Sequence, residues 1–168
     1  MRTIMRNSIS LPMAAILLTV ALAGQAVAAD KLVPFSGSLH AKESIVLQGV
    51  PPGTFVADGS GGGIATHLGQ SSVTWQLTVN LANGTATGSF TFTAANGDSI
   101  FTTISGTSEP PDASGVSQIV ETNTITGGTG RFEGAKGSFI VHRLIHLNTG
   151  FTSGSFRDGT ITSPGSIK

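Results

Sequence analysis

From Val33 onward the chain alternates apolar and polar side chains in short runs, and clusters of glycine, proline and asparagine separate the runs. The clearest is Ser72–Leu81. There Val73, Trp75, Leu77 and Val79 alternate with Ser72, Thr74, Gln76 and Thr78, the period of two expected of a strand with one buried face. The same pattern predicts a first, bent strand over Val33–Leu39 and Ser44–Leu47, and a short edge strand over Thr54–Ala57. It also predicts strands over Gly88–Ala94, Ser99–Ser105, Val116–Thr126, Ser138–Leu147 and Phe151–Thr162. Pro51-Pro52-Gly53 interrupts any ladder because proline has no N–H to donate. Asn83-Gly84 and Asn96-Gly97 predict type I′ hairpins, since both residues of an Asn-Gly pair tolerate positive φ. Asp58–Gly63, DGSGGG, reads as a mobile or tightly turned loop. About eight antiparallel strands on short connections, with no helical period between them, close into a barrel or stack as a sandwich.

Ahead of Val33 the pattern changes. Arg2 and Arg6 precede an apolar run, Leu11–Ala23, that ends at Ala26-Val27-Ala28, which is the order and size of a secretory leader. The run is about a dozen residues, too short to cross a bilayer of roughly 30 Å as a helix. The expected organisation is a signal peptide over residues 1–28 and one β-barrel domain over 29–168, secreted or periplasmic and without a membrane anchor. The chain has no cysteine, and therefore no thiol for an acyl anchor, a metal site or a disulfide. Without Arg2 and Arg6, seven basic side chains face nine acidic ones, a net of −2, which speaks against nucleic acid as a partner.

The densest motif is Ile125–Phe139, ITGGTGRFEGAKGSF. Its glycines miss the spacing of the dinucleotide and P-loop fingerprints, and no helix follows. Gly127, Gly128, Gly130, Gly134 and Gly137, with Phe132, therefore read as a structural turn. With THLG at Thr66–Gly69 and GSFRDGTITSPG at Gly154–Gly165, the motif resembles the allene oxide cyclase and dirigent barrel superfamily, in particular its secreted bacterial members. The resemblance implies a calycin-like, eight-stranded antiparallel barrel around a central cavity, in many members a homo-oligomer. It also implies chemistry, where there is any, that needs no metal or organic cofactor: isomerisation of an allene oxide, steering of radical coupling, or polyketide cyclisation.

The candidate constellation comes from pairing Val116–Thr126 with Ser138–Leu147 so that Ile125 faces Phe139. Asn123 then faces Val141, Glu121 faces Arg143 and Ile119 faces Ile145, which puts an opposite charge pair on an apolar face. A carboxylate and a guanidinium in a lumen are available as a base or an anchor, and equally as a structural cross-strand pair. Trp75, Phe90 and Phe92 read as core or lumen wall and, with His67 and Asn123, are the candidate ligand-binding residues. His67, after the glycine cluster, is expected at a barrel mouth under a mobile lid. His142 and His146 fall on the opposite strand face with Thr122, two ligands without a third, and no metal site is expected. The leading expectation is a barrel that binds a small apolar molecule. An isomerase or cyclase using Glu121 and Arg143 stays open, as does a structural or interaction protein whose lumen is packed shut.

Overall fold

The computed structural model describes residues 31–47 and 51–165, so the leader expected over residues 1–28 lies outside the described residues. The strands are β1 (Leu32–Val46), β2 (Thr54–Ala65), β3 (Gly69–Asn80), β4 (Thr85–Ala94), β5 (Ser99–Ser108), β6 (Val116–Gly128), β7 (Gly137–His146) and β8 (Phe151–Thr162). Each pairs antiparallel with the next, and β8 returns to β1, so the sheet closes as an eight-stranded barrel with no free edge. The period of two explains the inside and the outside. On β3, Val73, Trp75 and Leu77 are buried while Thr74, Gln76 and Thr78 are exposed. On β6 and β7, Ile119, Glu121, Asn123, Ile125, Phe139, Val141, Arg143 and Ile145 all turn inward.

The two ends of the barrel differ. At one end Phe35, Phe92, Phe139 and Phe156 pack ring to ring, with centroids 4.5 Å apart for Phe139 and Phe156 and 5.2 Å for Phe35 and Phe139. A 3-10 turn at Gly130–Phe132 folds over this cluster and buries Phe132 and Ala135 as a plug. Sealing Phe132 there contributes on the order of 1.5–3 kcal/mol. Gly130 and Gly134 take φ of 57° and 71°, the left-handed region that favours glycine. The opposite end, where β1 meets β2, β3 meets β4, β5 meets β6 and β7 meets β8, has no such plug among the described residues and forms the mouth.

Three sequence expectations are corrected. Asp58–Gly63 is not a loop but the middle of β2, paired on both sides from Asp58↔Gln76 to Gly63↔Ser71 and from Ser44↔Asp58 to Leu39↔Gly63. Glycine is needed there for space: a Cβ at Gly59 would overlap the Trp75 indole, and one at Gly61 or Gly63 would meet the carbonyl of His40 or Ser38. The Asn-Gly turns are not type I′, because only the glycine of each pair takes positive φ (67° at Gly84, 90° at Gly97). Gly84 N–H donates to the carbonyl of Asn80 at 2.9 Å and Gly97 N–H to that of Ala94 at 2.9 Å, so both turns are wider than two residues. Finally, the β6–β7 register is displaced by two: Ile125 pairs with Gly137, Asn123 with Phe139, Glu121 with Val141 and Ile119 with Arg143. An even displacement keeps every side chain on its expected face while changing its neighbour.

Candidate functional site

In the half of the barrel towards the mouth, the interior holds an ion network instead of rings. The Arg143 guanidinium grips Glu121 with two parallel bonds, Nε to Oε2 at 3.0 Å and Nη2 to Oε1 at 2.9 Å. Its Nη1 donates to Glu43 Oε2 at 2.8 Å and to Thr152 Oγ1 at 3.2 Å. Trp75 Nε1 donates to the same Glu43 Oε2 at 3.0 Å, and the guanidinium lies 5.1 Å from the Trp75 ring centroid. Burial alone would lower the pKa of Arg143. The hydrogen bonds and charges of Glu121 and Glu43 outweigh it and hold the group above its ordinary value. Behind the pair, Asn123 accepts from Thr102 Oγ1 at 2.8 Å and donates to the Glu121 carbonyl at 3.3 Å.

Strand neighbours explain how these long side chains fit. Gly59 lies in one register row between Glu43 and Trp75, so the indole crosses β2 above a residue with no side chain. Gly154 faces Arg143 and Gly106 faces Glu121 in the same way, and a Cβ at either would press on the opposing side chain. Each bulky polar residue of the interior thus stands beside a glycine on the next strand.

Glu43 uses only one of its oxygens. Both donors converge on Oε2, and among the described residues Oε1 has no hydrogen bond. Among the described residues no buried side-chain nitrogen or oxygen lacks a partner, so Oε1 reaches solvent although the side chain is 9% exposed. Glu43 also lines a pocket of about 310 Å³ at the mouth, together with Ile45, Ile145, Leu147 and the turn Asn148–Gly150. A larger hollow of about 610 Å³ lies on the outer face of β6–β8 around Ile140, His142, Ser155 and Arg157. It is a trough over small residues, and every charged side chain lining it is exposed. The mouth pocket is the better candidate because Glu43, whose largely buried carboxylate is held by Trp75 and Arg143, lines it.

The sequence-predicted residues divide accordingly. Glu121 and Arg143 do meet, through side chains that reach past their Cα partners, and Trp75 and Asn123 join them. Phe90 and Phe92 lie deeper, with Phe90 5.0 Å from the Trp75 ring and 5.9 Å from Phe92. His67 has no lid over it, since the glycine segment is strand. It is an exposed turn residue at φ 67° whose Nε2 sits 3.1 Å from the Pro34 carbonyl oxygen. His142 and His146 are exposed on the outer face, and no metal-capable cluster of three forms among the described residues. Sequence reasoning missed Glu43 and Thr152.

The mouth is framed by the loop Glu109–Gly115, whose shape depends on Asp112. Its Oδ1 accepts from Ser114 Oγ at 2.7 Å and from the N–H groups of Ser114 and Val116, both at 2.9 Å. The hydrogen bond from the Ser114 hydroxyl, then that from Val116, lowers the Asp112 pKa below its usual 3.8. A depressed carboxylate stabilises the fold above its unfolded pKa and loses that contribution as pH falls through the folded value. The melting-temperature difference between wild type and Asp112→Ala should therefore be constant above about pH 5 and shrink towards zero at more acid pH, as read by thermal melts.

Comparison of the chain with known protein families, with curated proteins and with solved structures finds no match to any of them.

Proposed function

We propose that this is a secreted, cofactor-free barrel of the allene oxide cyclase-like, calycin-like type that binds a small, largely apolar molecule at the open end of its lumen. The observation that carries the reading is Glu43. It is a largely buried carboxylate held through one oxygen by Trp75 and Arg143, and it lines a pocket walled by Ile45, Ile145 and Leu147. Ligand sites are commonly of this build, apolar walls with a few oriented polar groups. The Phe35, Phe92, Phe139 and Phe156 cluster fills the other end, so the ligand sits near the mouth. Chemistry on a bound molecule would fall to the same carboxylate. Glu121 has both oxygens on Arg143 and serves to fix the guanidinium.

A second reading, a structural or interaction barrel, is favoured by the saturation of its interior, where buried polar side-chain atoms are all partnered among the described residues. Native mass spectrometry of mature protein from its own source, followed by organic extraction, separates the two. A stoichiometric organic mass that is absent from Leu147→Trp, in which an indole occupies the pocket, is the expected result. Protein that stays at its bare mass and takes up none of a panel of small apolar compounds would leave the structural reading standing.

A further inference from the structure

We propose that the polar end of the ligand is a cation, a primary ammonium, which donates to Glu43 Oε1 while its apolar part lies against Ile45, Ile145 and Leu147. This rests on the binding reading above and adds the chemical class of the ligand. Three independent observations carry it.

The first is the charge of the network. Two carboxylates, Glu43 and Glu121, surround one guanidinium, so the buried triad has a formal charge of −1. Arg143 spends Nε and Nη2 on Glu121 and shares Nη1 between Glu43 and Thr152, so Glu121 is matched and the surplus charge belongs to Glu43. The second is the geometry of the acceptor. Oε2 is saturated by Trp75 and Arg143, and these two bonds hold the carboxylate and leave Oε1 as its open acceptor among the described residues. Such an oxygen can take a donor and cannot give a proton to an anionic headgroup.

The third is the distribution of charge along the barrel axis. The half towards the mouth contains five acids, Glu43, Asp58, Glu109, Asp112 and Glu121, against two bases, Lys42 and Arg143. Lys42 and Asp58 both point outward, away from the lumen, and offset each other, which leaves Glu43, Glu109, Asp112 and Glu121 against Arg143. The mouth turns Leu81–Gly84, Glu109–Gly115 and Leu147–Gly150 contain no lysine or arginine. At the plugged end Lys31, Arg131, Lys136 and Arg157 stand against Asp98, Glu133 and Asp158, so the balance there is slightly positive. The field at the mouth therefore attracts a cation and repels an anion, and the apolar walls select one with a short hydrocarbon body.

A neutral alcohol would satisfy Oε1 without compensating the charge, and a carboxylate would add a like charge to it. Full-length secreted protein, ¹⁵N-labelled, is titrated at low ionic strength with hexylammonium, hexanol and hexanoate, three probes with the same body and different heads. The expected result is shifts at Glu43, Ile145 and Asn148–Gly150 with hexylammonium bound roughly tenfold or more tighter than hexanol, and no binding of hexanoate. Glu43→Gln, whose amide oxygen can still accept from Trp75 and Arg143, should remove most of that advantage and leave hexanol binding within about threefold. If this variant fails to fold, Leu147→Trp, which leaves the network intact, must abolish the hexylammonium shifts.

Hexanol or hexanoate binding as tightly as hexylammonium at this site overturns the cation while leaving the binding function in place. So does hexylammonium affinity that is unchanged in folded Glu43→Gln. Failure of all three probes to bind overturns the binding function together with the cation.

Discussion

Arg143→Leu is expected to cost about 3–5 kcal/mol of stability, the range for removing one partner from a buried ion pair. In thermal melts this is a loss of roughly 10 °C or more for a domain of this size. Arg143 is 3% exposed and Glu121 is fully buried, so neither can turn to water when the other is lost. The leucine would leave Glu121 without its two donors and Glu43 with Trp75 alone. The single change therefore does more harm than removal of the pair. Glu121→Leu with Arg143→Leu should recover at least about half of the loss, because two apolar side chains in a packed interior can replace a buried pair at little net cost. If the double variant is as unstable as the sum of the two single changes, then packing, and not the uncompensated charge, holds this part of the barrel. Arg143→Lys is no conservative change here, since an ammonium cannot reproduce the two parallel bonds to Glu121.

What the sequence reveals of this barrel is governed by what a period of two can encode. The alternation identifies strands and sorts side chains by face, which is why Glu121, Asn123 and Arg143 are read on the inside together with Ile119 and Ile125. It says nothing of register. The turn sets that, and the 3-10 plug between β6 and β7 ends at a pairing that begins with Gly137, two residues from the expected one. Glu43 received no role from the sequence for a related reason. His40–Glu43, HAKE, breaks the apolar rhythm and falls between the two pieces read for β1, yet parity with Phe35, Leu39 and Ala41 already assigns position 43 to the lumen. The glycines misled in a different way. Gly59, Gly61 and Gly63 resemble a loop by propensity, because glycine weakens strands in general. Their spacing of two is the trace of a strand whose inner face is kept clear for the Trp75 indole at Gly59 and for the β1 backbone at Gly61 and Gly63.

That clearance leads to the second large effect. Gly59→Ala should cost about 3–5 kcal/mol, although it adds a single methyl group. The new Cβ would fall on the Nε1 side of the Trp75 indole, on Cε2, Cζ2 and Nε1, and a ring packed 5.0 Å from Phe90 has little room to retreat. Overpacking of this kind costs roughly 1–3 kcal/mol. Any shift of Nε1 also forfeits its bond to the Glu43 carboxylate, a charged hydrogen bond contributing about 1.5–3 kcal/mol. A double-mutant cycle identifies the clash. In a Trp75→Leu background, Gly59→Ala should be close to neutral, because alanine is conformationally less costly than glycine in a strand and the obstructing ring is gone. Equal losses in both backgrounds would mean that the backbone of β2, and not the indole, forbids a side chain at this position. The cycle also reaches the proposed site. Loss of Trp75 removes one of the two donors that fix Glu43, so hexylammonium binding should weaken in Trp75→Leu while Ile45, Ile145 and Leu147, the walls of the pocket, remain.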